Sequence, residues 1–197
     1  MSRTRPAVGL LLFALTGLVV VAREKSTKPG IDAPPASGQK PAGSTPVIPG
    51  YGAVVPVPDA TEPPAKGSKV VFDVTAANKN PAEPLPGLVR AATLLNLGGT
   101  AGLKGSDLEV VVVLHGDATA AALDDATYRK MYTHPHPHAD LMEKLAGAGV
   151  KIMVCGQSLA RKKYDRKWVR PGVQVAASAV SAVVNLQARG FAYVPAH

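Results

Sequence analysis

The chain has 197 residues, a single cysteine, and 22 lysines and arginines against 14 acids, for a formal charge of +8. One cysteine excludes an internal disulfide, a zinc site built on paired cysteines and a dithiol redox mechanism within one chain. Arg3 and Arg5 account for two of those charges, so without residues 1–22 the balance falls from +8 to +6. With no recognition-helix pattern and no repeated aromatic platform for bases, nucleic acid is not an expected partner.

Two arginines precede an apolar run from Ala7 to Ala22. The run is short for a membrane span, which needs ~20 residues, and has the form of a secretory h-region ending at Val20-Val21-Ala22. Residues 1–22 are therefore expected to be a signal peptide or an uncleaved N-terminal anchor. The expected location is periplasmic or secreted, with a membrane tether if the segment is retained. Residues 23–45 are rich in Pro, Gly, Ser, Ala and Lys and read as a disordered linker. Residues 46–68 mix apolar and turn residues and read as an extended lead-in to a domain at 69–197.

From Lys69 the periodicity becomes regular. Val70–Val74 reads as a strand. Pro86-Gly87 opens a helix with Leu88, Ala91, Leu94, Leu95 and Leu97 on its apolar face, which Gly98-Gly99 is expected to end. Leu108–Leu114 is an unbroken apolar strand suited to the centre of a sheet covered on both faces. Ala118–Leu123 reads as a short helix that Asp124–Met131 could continue. A helix follows at Ala139–Ala146 and a third strand at Val150–Cys155. Gln157–Lys163 is a short helix, Val173–Ala176 a strand, Ser178–Arg189 a helix and Phe191–Val194 a fifth strand. Alternation of this kind predicts an α/β/α sandwich around a mainly parallel five-stranded sheet. Chemistry in such sheets gathers beyond the carboxyl ends of the strands.

Three constellations lie along the chain. Cys155 ends the third strand and opens a helix, where a thiolate is favoured; a packed, inert thiol is the alternative. His115 ends the second strand in the same way and could stabilise a thiolate or hold a proton at the same crevice. No acid is clearly placed to orient it, Asp117 being the nearest in sequence. His134, His136 and His138 alternate with prolines and offer nitrogens to a metal, although a polyproline II backbone would fan them apart into a solvated helix lead-in. The basic run Arg161–Lys167 could raise the thiolate population if it folds toward Cys155. No cofactor is expected, since no phosphate-binding fingerprint is present.

The segments Lys69-Val-Val-Phe-Asp-Val74, Val111-Val-Val-Leu-His-Gly116, Val150-Lys-Ile-Met-Val-Cys-Gly-Gln-Ser-Leu159 and Pro171-Gly-Val-Gln-Val175 together resemble the DsrE/DsrF-like family in its exported single-domain form. The resemblance implies assembly into trimers or hexamers and a link to sulfur oxidation or relay. A persulfide-carrying cysteine then maps onto Cys155, with His115 as its neighbour. The implied partner is a sulfur donor or acceptor, either a protein or a small sulfur compound. The residues also leave open a non-enzymatic oligomeric binding module and a histidine-rich metal-binding protein.

Overall fold

The computed structural model describes residues 46–57 and 59–196. The expected signal or anchor at 1–22 and the linker at 23–45 lie outside the described residues. Five strands form one sheet: β1 (Lys69–Val74), β2 (Glu109–Leu114), β3 (Lys151–Cys155), β4 (Val173–Ala176) and β5 (Ala192–Ala196). Their order is β4-β3-β2-β1-β5, and every pairing is parallel. The five consecutive buried residues Val110–Leu114 place β2 at the centre, as its apolar run requires.

The chain order explains the layers. From β1 to β4 each strand adds on the same side of its predecessor, and the return to β5 beside β1 reverses direction. Right-handed crossovers place the helices of the outward run on one face and the returning helix on the other. Accordingly α1 (Pro86–Thr100) and α3 (Ala139–Gly147) cover one face, while α5 (Ala179–Ala188) covers the other. The larger core lies under α1 and α3 and contains Phe72, Val74, Val112, Leu114, Ile152 and Val154. The smaller one lies under α5, where Val71, Val111, Val113 and Cys155 meet Ala179, Leu186 and Phe191. Alternation along the strands thus puts Cys155 on the α5 face.

Two elements differ from expectation. Helix α1 runs through Gly98-Gly99 to Thr100. Gly98 is a packing residue: a Cβ there would lie 3.2 Å from the Leu108 side chain. The chain turns away two residues past the helix end, at Gly102, whose φ of 79° is left-handed. There Leu103 N–H donates to Gly98 C=O and Gly102 N–H to Gly99 C=O, closing a Schellman motif. The second difference follows β2. Gly116–Ala122 is a 3-10 helix, and α2 (Asp125–Tyr132) is a separate element capped by the Asp124 side chain. Between them Leu123 bridges Val169, which interrupts any continuous helix.

The lead-in is pinned to the domain at one buried side chain. Asn96 of α1 accepts from Ile48 N–H at 2.7 Å and donates its amide to the carbonyls of Ile48, Tyr51 and Gly52. Ile48 is fully buried in the larger core. Replacing Asn96 with Ala strands these backbone groups, and denaturant unfolding should show a loss of about 1–3 kcal/mol. Equal stability of the variant would mean that residues 46–52 do not belong to the folded unit. No helix among the described residues is long and apolar enough to cross a membrane.

Candidate functional site

Leu114 of β2 pairs with Val154 of β3, so His115 and Cys155 occupy the next position on adjacent strands. Parallel neighbours lie about 4.8 Å apart, and both residues fall on the α5 side of the sheet. The loop after β2 is fixed over the end of β1. His115 N–H donates to Val74 C=O, and the N–H groups of Asp117 and Ala118 share the carbonyl of Thr75. Gly116 has a φ of 57° and sits where a Cβ would meet Thr75 C=O at 3.0 Å, so the turn requires glycine.

Cys155 is the residue preceding α4 (Gly156–Arg161), and its sulfur accepts from Ser158 N–H at 3.4 Å. Burial pushes the thiol up, since only 5% of the residue is exposed. Donors outweigh that effect: the Ser158 side chain and the backbone N–H groups of Ser158, Ala179 and Gln157 hold the thiol below its ordinary value. Ser158 Oγ accepts from Gly116 N–H at 3.4 Å, which leaves its own proton free to turn toward the sulfur. The hydroxyl therefore joins the His115 loop to the thiol.

His115 has an acidic partner from β1. Its Nε2 lies 2.7 Å from Asp73 Oδ1, and Asp73 Oδ2 accepts from the Tyr193 hydroxyl of β5 at 2.9 Å. Asp73 raises the Tyr193 pKa by accepting its proton in a hydrogen bond, and burial adds to the effect. With Nε2 held by the carboxylate, Nδ1 is the ring nitrogen left to face a reactant. Asp117, the nearest acid in sequence, instead pairs with Lys162 at 3.1 Å. Neither Asp73 nor Tyr193 was identified from the sequence as part of this group. The signal available was parity: Asp73 shares the face of Val71 and follows three apolar residues in its strand, an unusual place for a carboxylate without a partner.

Beside this group a cavity of about 310 Å³ opens between α5 and the sheet. Asp73, His115 and Tyr193 form its polar end and Val180, Val183 and Val184 its apolar wall. Cys155 lies behind the wall, packed against Ala179, which also lines the cavity.

The basic run does not act on the thiol. Within it Lys162 pairs with Asp117 and Lys167 with Asp165, and the groups that lower the Cys155 pKa are uncharged donors. The three histidines also differ from a solvated lead-in. His136 and His138 pack on Tyr128, with ring centroids 4.2 and 6.0 Å from it. His136 uses both nitrogens, Nε2 on Leu123 C=O at 3.1 Å and Nδ1 accepting from His138 N–H at 3.2 Å. His134 Nδ1 lies 2.9 Å from Pro135 C=O. Among the described residues no group of three His, Cys, Asp or Glu side chains is placed to take a metal ion. The segment packs as a small aromatic cluster around Tyr128.

His138 has a consequence for stability. It is 5% exposed, its Nδ1 has no hydrogen-bond partner, and burial pushes its pKa down to about 3. An unfolded-state histidine protonates near 6.5, so between about pH 6.5 and 3 the unfolded chain binds a proton that the folded chain refuses. The contribution of neutral His138 is complete above 6.5 and is lost as the pH falls through that window, by roughly 3–5 kcal/mol at most. Unfolding free energies measured from pH 7 to 4 should fall, and His138→Gln should flatten the slope. An unchanged slope would place the acid sensitivity elsewhere.

The comparisons with known proteins agree with this architecture. The sequence profile of the DsrE/DsrF-like family matches residues 69–195. The chain belongs to the DsrE/DsrF-like family. Among similar solved structures is a protein of unknown function from Methanobacterium thermoautotrophicum, 22% identical, with a TM-score of 0.50 over 65% of this chain and 98% of that one. At that identity the likeness shows the shared fold alone. No curated protein matches the chain significantly. The family match runs from Lys69, at the start of β1, to Pro195 in β5, so all four residues of the candidate site fall inside it: Asp73, His115, Cys155 and Tyr193.

Proposed function

We propose that the protein is an exported sulfur carrier of the sulfurtransferase type, with Cys155 as its carrier thiol. The observation that carries this reading is the hydrogen-bond cage on the Cys155 sulfur, which favours thiolate in a nearly buried position. Family membership is the second support, because members that relay sulfur hold it as a cysteine persulfide. Thiolate attack on a sulfane sulfur donor breaks the donor's S–S bond, and the leaving group takes the electron pair. The product is Cys155–S–SH, whose outer sulfur then passes to an acceptor thiol. Asp73-bound His115 is suited to take the acceptor's proton, and neither step changes the total redox state.

Export rests on the sequence of residues 1–22 and is proposed on that ground. It would put a single unpaired thiol in an oxidising compartment, where a carrier function explains its retention better than a structural one. The chemistry is tested by treating the purified protein with polysulfide and weighing it intact. A gain of one sulfur atom that cyanide or dithiothreitol removes is the expected result. A protein that stays at its own mass through a range of donor concentrations would refute the proposal.

A further inference from the structure

We propose that the cavity between α5, the carboxyl ends of β1 and β2, and Tyr193 of β5 binds a small, uncharged organic thiol that receives the sulfur carried by Cys155. This inference rests on the carrier reading and names the class of acceptor.

The first argument is charge. No lysine or arginine lines the cavity among the described residues, and its polar end carries Asp73 and His115. With Asp73 as a carboxylate, the formal charge there is zero when the imidazole is protonated and negative when it is not. Beside the neutral imidazole that the transfer needs, sulfite, thiosulfate and thiols bearing carboxylates would meet the Asp73 carboxylate without a lysine or arginine to compensate.

The second argument is shape and polarity. At about 310 Å³ the cavity is at the small end of ligand sites, which span roughly 300–1,000 Å³. One side is a wall of three valines from α5, and its two outer members, Val180 and Val184, are 74% and 57% exposed. Exposed valines one helical turn apart, facing a hydrogen-bonded Asp–His–Tyr group, suit a ligand with an apolar chain and one polar head. Gln187, the next residue along that helix stripe, is the cavity's remaining neutral polar contact.

The third argument is placement. Cys155 packs on Ala179 and is cross-strand neighbour to His115, and both of those residues line the cavity. Cys155 itself does not line the cavity, so the transfer has the outer sulfur of its persulfide extend past Ala179 to a thiol headgroup resting on His115 Nδ1. In the transfer, RS–H gives its proton to His115. The thiolate attacks the outer sulfur of Cys155–S–SH, the S–S electron pair returns to Cys155, and RS–SH leaves.

The test compares 1-butanethiol, mercaptosuccinate and sulfite as acceptors from the sulfur-loaded full chain, each rate divided by its rate against the same loaded protein unfolded in guanidinium. Butanethiol should discharge the folded protein at least about tenfold better than the two anions. Val184→Asp should remove most of that preference, whereas Val55→Asp, an equal charge change on the exposed lead-in, should not. Equal normalised rates for all three, or a preference for an anion, would overturn the assignment. A separate binding arm follows butanethiol by methyl NMR in Cys155→Ser. Shifts confined to Val180, Val183 and Val184 support the ligand class even if loading fails, in which case only the carrier chemistry falls. Absence of shifts at saturating thiol would overturn the site.

Discussion

Cys155→Ser should abolish sulfur loading completely while leaving a folded protein. The serine oxygen is a far weaker nucleophile at neutral pH and forms no persulfide, so the mass gain expected of the wild type disappears rather than diminishes. The fold should tolerate the change because serine is a good residue at a helix N-cap and can accept the Ser158 N–H that the sulfur now takes. Its hydroxyl would sit among Val71, Val111 and Val113, so a cost of about 1 kcal/mol is expected. That cost should grow with pH. Folding lowers the thiol's pKa, so the thiolate stabilises the folded form above the unfolded thiol's pKa, and the effect is lost as the pH falls through the folded value. Intact mass spectrometry and denaturant unfolding of the two proteins check both halves. Loading of the variant equal to wild type would place the reactive group elsewhere.

Asp73→Asn should slow discharge to an acceptor thiol by about 10–100-fold with loading little changed. The asparagine carbonyl can still accept from His115 Nε2–H, so the ring keeps a partner. What it loses is the negative charge that favours the protonated imidazole formed when the acceptor gives up its proton. The loss should fall on discharge and not on loading, a split that a purely structural role would not produce. Tyr193→Phe removes one hydrogen bond to the same carboxylate and should have a smaller effect in the same step. Discharge rates identical to wild type across the pH range would remove Asp73 and His115 from the chemistry.

The strands and helices were readable because their burial is written in simple periods. β2 shows five consecutive buried positions, and α3 buries Leu141, Met142 and Leu145 on one stripe. The end of α1 was misread because Gly98 serves packing against Leu108, and a glycine's two uses look alike in sequence. Cys155 and His115 were legible as strand-end residues before glycine, and the sheet register makes them neighbours. Asp73 and Tyr193 were not, since they lie 42 and 78 residues from His115 in the sequence and only the placement of β1 between β2 and β5 joins them. The histidine triplet was open to two readings, a metal ligand set and a solvated helix lead-in. His136 and His138 pack on Tyr128 and His136 uses both ring nitrogens in hydrogen bonds, contacts that alternation with proline does not announce.

The account stands on a thiol that is both nearly buried and activated in the folded state. Its most direct test is the pH dependence of Cys155 alkylation by iodoacetamide in native protein, set beside the same chain unfolded in guanidinium. The native thiol should react without unfolding, with a midpoint below that of the unfolded chain, and Ser158→Ala should move the midpoint upward by removing the hydroxyl donor. A thiol that is silent until the protein unfolds, or one that titrates above the unfolded control, would contradict the account.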